Sequence, residues 1–324
     1  EGKGATADLA RILNLPVVLV IDAGRMAGSV AALAKGFINH DPRVNIAGVI
    51  LNNVGSARHE AMLRRALAGI TIFGVVPRTP GLAQPSRHLG LVQAFERPDL
   101  ELYLDAAADL IAATIDLDAL LALHPHKIHT TASTRQVPPA QNIAIARDAA
   151  FAFCYPHLMA DWRDAGASIT FFSPLADDAA PQADFIYLPG GYPELHAGKL
   201  AANQNFLTSL RHSSAQIYGE CGGYMVLGQA LTDADGNLHK MAGVLGLETS
   251  FATRKLHLGY RDLRATQGPM RGTWKGHEFH YATTVKAIGD PLFDATDAEG
   301  NALPAMGLIA GAVSGSFAHL IDAA

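Results

Sequence analysis

The sequence predicts an α/β protein made of two doubly wound domains, and three observations predict it. Continuous β-branched runs such as Val17-Val18-Leu19-Val20-Ile21 alternate with helical patterns, as strands buried in a parallel sheet do. A second series of the same kind opens at Asn142, after residues 124–140 break all periodicity. Within that second series, Tyr218-Gly219-Glu220-Cys221-Gly222-Gly223-Tyr224-Met225 lies between a strand end and an apolar helical pattern. A reactive side chain flanked by glycines at a strand-to-helix turn is the layout of a nucleophile elbow, here Gly-x-Cys-x-Gly.

The first unit covers residues 1–123. Residues 7–13 are helical in pattern and lead through Asn14-Leu15-Pro16 into a strand over 17–22, a run suited to burial on both faces. A helix from Arg25 to Ile38 precedes a second buried strand over 44–51, which closes on Asn52-Asn53. Ser56 to Leu67 reads as a helix of alternating charge, and Ile70 to Val76 as a third strand ending in Pro77-Arg78. Residues 79–93 are irregular, and 99–123 read as one or two helices on the spacing of Leu100, Leu104, Ala107, Leu110 and Ile111. Ligands of doubly wound sheets sit beyond the carboxyl ends of the strands, where Asp22, Asn52 and Pro77 fall.

Residues 124–140 read as a linker. Its histidines His124, His126 and His129 have no carboxylate or cysteine at ligand spacing, so a solvated linker is expected there rather than a metal site. The second unit, 141–324, opens with a strand over 142–146, a helix over His157–Ala165 and a strand over 168–172. A further strand over 184–188 ends in Pro189-Gly190-Gly191-Tyr192-Pro193-Glu194, and a helix over Phe206–His212 precedes the elbow. Past residue 236 the pattern turns β-rich, with segments at Lys255–Leu263, Phe279–Val285 and Gly307–Ile309.

Composition narrows the function classes. With 49% hydrophobic and 17% charged residues over 324 positions, a sizeable core is available. A net charge of −5 with no basic patch argues against nucleic acid or membrane-surface partners, and no apolar run reaches a membrane span. Two cysteines, Cys154 and Cys221, provide no disulfide framework, which fits a reducing, cytoplasmic setting.

A cysteine nucleophile needs a base, and an acyl-enzyme needs donors for its oxyanion. The glycines beside Cys221 suit a strained turn that a Cβ would oppose, and the following helix start offers free N–H groups. Among the later histidines, His280 in Gly-His-Glu-Phe-His-Tyr and His319 in Gly-Ser-Phe-Ala-His both follow glycine-marked β segments, and spacing does not choose between them. The Gly190-Gly191 turn and the amide of Gly222 are the candidate oxyanion donors.

Four motifs in this half, Tyr-Gly-Glu-Cys-Gly-Gly-Tyr-Met (218–225), Leu-Pro-Gly-Gly-Tyr-Pro-Glu (188–194), Lys-Gly-His-Glu-Phe-His-Tyr (275–281) and Val-Ser-Gly-Ser-Phe-Ala-His-Leu (313–320), resemble the glutamine amidotransferase domain of the cobyrinic and hydrogenobyrinic acid a,c-diamide synthase family. Three runs of the first half resemble the later part of that family's ATP-dependent synthetase domain: Thr-Ala-Asp-Leu-Ala (6–10), Gly-Val-Ile-Leu-Asn-Asn-Val-Gly-Ser-Ala-Arg-His (48–59) and Arg-His-Leu-Gly-Leu-Val-Gln-Ala (87–94). The likeness covers essentially the whole chain. It implies a P-loop-NTPase-like synthetase domain followed by a class I glutamine amidotransferase-like domain.

The resemblance implies Cys221 as nucleophile, His319 as general base, and Gly190, Gly191 and Gly222 around the oxyanion. Glu278 and His280 then take a structural or substrate-proximal role, and Asn52 and Pro77 lie near the adenine of ATP. Many amidotransferases complete a triad with a glutamate two residues after the histidine. That position here is Ile321, so a dyad is expected. The implied reaction is ATP-dependent amidation of the a and c acetate side chains of cobyrinic or hydrogenobyrinic acid in cobalamin biosynthesis. Glutamine supplies the nitrogen, and ammonia passes to the first domain. ATP and Mg2+ would serve it without a permanently bound cofactor. The implied partners are glutamine and a corrin-type tetrapyrrole, with a homodimer as the implied assembly and no metal in the glutaminase site.

The family opens with a phosphate loop, Gly-x-x-x-x-Gly-Lys-[Ser/Thr], and no such run occurs here; Gly2-Lys3-Gly4-Ala5-Thr6 has the letters without the spacing. The expectation is an N-terminally truncated synthetase domain whose glutaminase half is the intact one. The competing readings are cobyric acid synthase, nickel-sirohydrochlorin a,c-diamide synthase, a cysteine peptidase using the same elbow and, from another class, a non-catalytic binding or regulatory remnant.

Overall fold

The computed structural model describes residues 4–84, 86–87, 90–123 and 135–324. The linker histidines at 124, 126 and 129, residues 1–3, and His88 and Leu89 of the 87–94 motif lie outside the described residues. The chain divides into two compact units, Glu1–Ser133 and Thr134–Ala324, a division that falls within the expected linker.

In the first unit, α1 (Thr6–Leu13) precedes a parallel three-stranded sheet of order β1 (Val17–Asp22), β2 (Ile46–Val54) and β3 (Ile72–Pro77). The connections are α2 (Ser29–His40) and α3 (Ala57–Ala66). Ser56 caps α3 by accepting from the His59 amide, which satisfies one of the free donors at a helix start. Val30 and Ala34 of α2 and Leu63 of α3 bury against Ile21, Val49, Leu51 and Val75. The β1 run is not buried on both faces as its composition suggests: among the described residues it pairs with β2 alone, and Val20 is 65% exposed. The irregular stretch holds two-residue strands β4 (Ser86–Arg87) and β5 (Gly90–Leu91), and α4 (Leu100–Thr114) and α5 (Leu117–Leu121) follow.

The second unit is built on β6 (Asn142–Ala146), β7 (Ser168–Phe172), β8 (Phe185–Leu188) and β9 (Gln216–Glu220). Helices α6 (Pro156–Asp164), α7 (Ala197–Ala202), α8 (Gln204–Arg211) and α9 (Gly222–Leu227) are interleaved with them. The strands β10 (Ala230–Thr232), β11 (Leu238–Lys240), β12 (Gly246–Ser250), β13 (His257–Ala265), β14 (Gly272–His280), β15 (Thr283–Ile288), β16 (Phe293–Thr296), β17 (Ala302–Met306), β18 (Leu308–Ala310), β19 (Val313–Ser316) and β20 (His319–Ala323) complete it. The central sheet runs β18-β19-β9-β8-β6-β7, parallel except for the edge strand β18.

Alternation along the central strands places it between two layers. Ala144, Ile186, Leu188 and Ile217 pack with Phe206, Leu210 and Met225 on one face. Ile143, Ile145, Phe185, Tyr187 and Tyr218 pack with Trp162 of α6 and with Leu263, Phe293 and Leu320 of a second sheet, β17-β16-β13-β14-β20, on the other. Each such fully buried large side chain contributes roughly 1.5–3 kcal/mol of transfer free energy. The expected segment Phe279–Val285 is in fact two strands in two sheets. β14 pairs with β13 and ends at His280, whereas β15 pairs with β12, and buried Ala282 lies at the changeover. Among the described residues, no helix is long and apolar enough to cross a membrane.

Candidate active site

Cys221 stands where β9 gives way to α9, with φ 47° and ψ −101°. A left-handed angle at a residue with a Cβ costs of order 1–3 kcal/mol and persists only where the surroundings fix it. Here the Cys221 amide donates to Ser316 O at 2.8 Å, and the Gly223 amide to Pro189 O at 3.1 Å. The glycine that follows is required by space: a Cβ on Gly222 would stand 2.8 Å from Pro193 Cδ and 3.0 Å from the Gly191 nitrogen. The elbow therefore packs its own backbone against the Gly190-Gly191 turn.

His319 reaches Cys221 through strand register. β19 lies parallel to β9 with Ser316 opposite Glu220, and three residues beyond Ser316 the chain begins β20 at His319. β20 pairs with β14, setting His319 against His277. The two imidazoles stack 4.9 Å apart at 7°, and Tyr155 meets the His319 ring edge-on at 6.2 Å. His319 and Cys221 meet at Gly190, where both side chains lie within 3.4 Å of the position a Cβ would take, and their charges act on one another. Of the two histidines that spacing left open, His319 is thus the one beside the sulfur.

The site differs from the expected dyad. Ile321 supplies no carboxylate, but Glu220, one residue before the nucleophile, places Oε1 3.0 Å from His319 Nδ1. The two atoms face one another as an ion pair, and neither has another partner. Glu220 is 1% exposed, and its Oε2 accepts from the Leu320 amide at 3.0 Å. The carboxylate comes across the sheet from β9 because the β9–β19 register brings the two strand ends together.

Burial works hardest against a charge on His319, but the facing charges of Cys221 and then Glu220 outweigh it and raise the imidazole to about 10. His277 moves the other way, lowered first by burial and then by the His319 charge. Burial, with Glu220 second, pushes the Cys154 thiol up to about 12, which leaves that sulfur protonated and unreactive at neutral pH.

Gly190 lies against the same two side chains: a Cβ there would lie 2.6 Å from His319 Cε1 and 3.4 Å from Cys221 Cβ. Gly191 is pressed against the Ala150 carbonyl, and its amide faces Gly222. The three glycines expected around an oxyanion are therefore gathered at Cys221.

Glu278 and His280 form a neighbouring buried network. His280 Nε2 lies 2.9 Å from Glu278 Oε1, and Arg261 grips Glu278 Oε2 through Nη2 at 2.8 Å and Nε at 3.2 Å. Burial raises Glu278 most, but His280 and Arg261 together bring it below the usual carboxylate value. His257, Glu278 and His280 bring ligand-type atoms within 4.8 Å of one another. The guanidinium already neutralises the carboxylate, and His257 stacks on His280 at 4.6 Å and 7°, so the donors do not converge as a cation requires. His280 also stacks on Phe317 at 3.9 Å, on the segment between β19 and β20, so the network braces the strand that carries His319.

In the first unit, Asn52 and Pro77 line a cavity of about 680 Å³ at the carboxyl ends of the strands, with Asp22, Asn53, Arg78 and Tyr103. Asp22 accepts from the Gly24 amide at 3.0 Å and from Asn53 Nδ2 at 3.1 Å, and these bonds hold its carboxyl below the usual range. Arg78 and Tyr103 escaped the sequence reading; Arg78 follows Pro77 directly, whereas Tyr103 arrives from α4.

Residues 142–324 match the CobB/CobQ-like glutamine amidotransferase domain, and residues 3–86 match an AAA domain. The chain belongs to the CobB/CobQ-like glutamine amidotransferase family. Over 333 aligned residues it is 55% identical to the hydrogenobyrinate a,c-diamide synthase of Brucella abortus biovar 1, covering 99% of this chain and 76% of that one. The proteins of the same name from Rhizobium meliloti and Rhodobacter capsulatus are 52% and 49% identical, each over 99% of this chain and 77% and 76% of theirs.

Proposed function

We propose that the protein hydrolyses glutamine at Cys221 and spends the ammonia in ATP-dependent amidation of the a and c acetate side chains of hydrogenobyrinic or cobyrinic acid, a step of cobalamin biosynthesis. The observation that carries the reading is His319 held against Cys221 at a strained strand-to-helix turn beside three glycines. The names of the relatives supply the macrocycle.

The chemistry follows from the groups present. The sulfur of Cys221 attacks the amide carbon of glutamine, forming the C–S bond and placing negative charge on oxygen. The amides of Gly191 and Gly222, whose backbones lie together beside Cys221, are the donors for that charge. His319 gives its proton to the nitrogen as the C–N bond breaks, and ammonia leaves. Water then attacks the thioester with His319 taking its proton, which releases glutamate and restores the thiol. Ammonia made on site matters because in water near neutral pH it is almost all ammonium, which is not nucleophilic.

The first unit accepts the nucleotide. Asp22, the one carboxylate among the residues lining the strand-end cavity, fits the Mg2+ that would accompany ATP, and Asn52 and Pro77, on the same cavity, would border the adenine. Mg2+ there would neutralise phosphate charge. The reading includes a cytoplasmic homodimer, which light scattering of the purified protein would test.

Glutaminase assays on Cys221→Ala provide the main test. Ammonia release should fall by about 10³-fold or more, while amidation of hydrogenobyrinate driven by added ammonium and ATP should persist when the substitution is made in a protein that carries the family's phosphate loop. Hydrolysis of glutamine by the variant at the parent rate would overturn the assignment of the nucleophile. Amidation of neither acid by a protein that carries the phosphate loop, under conditions where glutamine is hydrolysed, would overturn the macrocycle.

A further inference from the structure

We propose that Glu220 is the positioning residue of the glutaminase reaction, holding the His319 ring through Nδ1 so that its other nitrogen meets Cys221. The proposal rests on the reading of Cys221 and His319 above and adds to it a group in neither the expected dyad nor the usual place for a third member. It is carried by the pairing of two atoms, each with no other partner. Glu220 Oε1 and His319 Nδ1 lie 3.0 Å apart, and both are fully buried.

A carboxylate at 1% exposure without compensation costs several kcal/mol. Among the described residues, no arginine or lysine forms an ion pair with Glu220. The groups around it are Cys154, Tyr155, Tyr187 and Tyr218, and its charge raises the pKa of each. They are groups that burial keeps neutral, so they cannot balance a negative charge. The remaining groups on the ring are Cys221, which offers no positive charge, and His277, which disfavours a second positive charge. Among the described residues, His319 is thus the group that forms an ion pair with Glu220.

The geometry has three effects. It anchors the neutral ring with its proton on Nδ1, leaving the other nitrogen free to accept and return the proton that catalysis moves. It opposes the loss of the imidazolium, the form that protonates departing ammonia. It also fixes the ring plane, because the Oε2 bond to the Leu320 amide ties the carboxylate to the backbone next to His319. A purely structural carboxylate would need none of these relations to the ring.

The test compares Glu220→Gln, His319→Asn and the double variant in glutamine hydrolysis across pH, with near-ultraviolet circular dichroism as the check on folding. Glu220→Gln should lower kcat by about 10³- to 10⁴-fold, as losing the acid of a triad does, with KM within a few-fold. The alkaline limb of the parent profile, at about pH 10, should move at least about one pH unit lower, since a charge holding the proton is gone. In the His319→Asn background the same change should alter the rate by less than about two-fold, because the residue acts only through the ring. A Glu220→Gln enzyme within three-fold of the parent and with an unmoved limb would overturn the proposal, as would losses that simply multiply in the double variant.

A measurement without substitution keeps the question open to refutation if Glu220→Gln does not fold. With 15N-histidine in the parent protein, raising the pH above 10 should leave the remaining ring proton of His319 on Nδ1, and finding it on Nε2 would sink the idea. Should Cys221→Ala and His319→Asn both hydrolyse glutamine normally, the reading of the site fails. Should both be inactive and Glu220→Gln not, only the role given to Glu220 fails.

Discussion

Adding one methyl group at Gly190 is expected to disable the glutaminase with little loss of fold. The new Cβ would lie 2.6 Å from His319 Cε1, against about 3.5–4.0 Å for carbon atoms in contact. The ring must then retreat by about 1 Å. His277 stacks on one face and Glu220 holds Nδ1, so the movement carries the imidazole off its line to Cys221. A misplacement of about 1 Å costs about 10²-fold in rate, or about 2.7 kcal/mol of transition-state stabilisation. Overpacking adds about 1–3 kcal/mol of destabilisation, which a urea titration reads separately. Steady-state ammonia release from glutamine should show the loss mainly in kcat. Gly198→Ala in α7 is the control: its nearest neighbour, His239 Cε1, is at an ordinary 3.5 Å, so activity should hold and stability change by no more than about 1 kcal/mol. A Gly190→Ala enzyme within three-fold of the parent would show that the ring has room the packing denies it, and the reasoning would fail.

Two further outcomes follow from the same site. The folded pKa of His319, about 10, exceeds its ordinary 6.5, so its ionisation stabilises the fold fully below about pH 6.5, and that contribution is lost as pH rises through about 10. Thermal midpoints of the parent should therefore drop between pH 7 and 10.5 by more than those of His319→Asn; equal slopes would contradict the ion pair. Because burial holds the Cys154 thiol at about 12, iodoacetamide at neutral pH should label Cys221 well before Cys154, as peptide mass spectrometry would register. Equal labelling would mean that the sulfur at 221 is not activated.

Much of the fold was legible because parallel strands announce themselves. Asn142–Ala146 and Ser168–Phe172 were placed to the residue, the first as a nearly fully buried central strand and the second as an edge strand rich in β-branched and aromatic residues. The three-residue strands β10 and β11 were not foreseen, being too short and too mixed in polarity to show a period. The break inside Phe279–Val285 was hidden because both strands are apolar enough to read as one. Around the candidate site, the elbow was legible because its demands are local: a positive φ at Cys221 and no room for a side chain at 222. Glu220 was passed over because the search for a carboxylate followed the chain downstream from His319 to Ile321. Its partnership is written in the register between β9 and β19, about a hundred positions apart, and no window on the sequence spans that. A retrospective signal exists in the carboxylate itself: a glutamate ending an otherwise apolar central strand needs a buried partner.

The pairing of Glu220 with Ser316 has a consequence for biosynthesis of the chain. Until residue 319 has left the ribosome and its strand has docked, the sulfur at 221 has neither imidazole nor aligned carboxylate beside it and remains an ordinary thiol. On the proposed function, reactivity is thereby withheld from the nascent polypeptide until β19 has paired with β9 and β20 with β14. A misregistered or half-assembled molecule is inert instead of wasting glutamine.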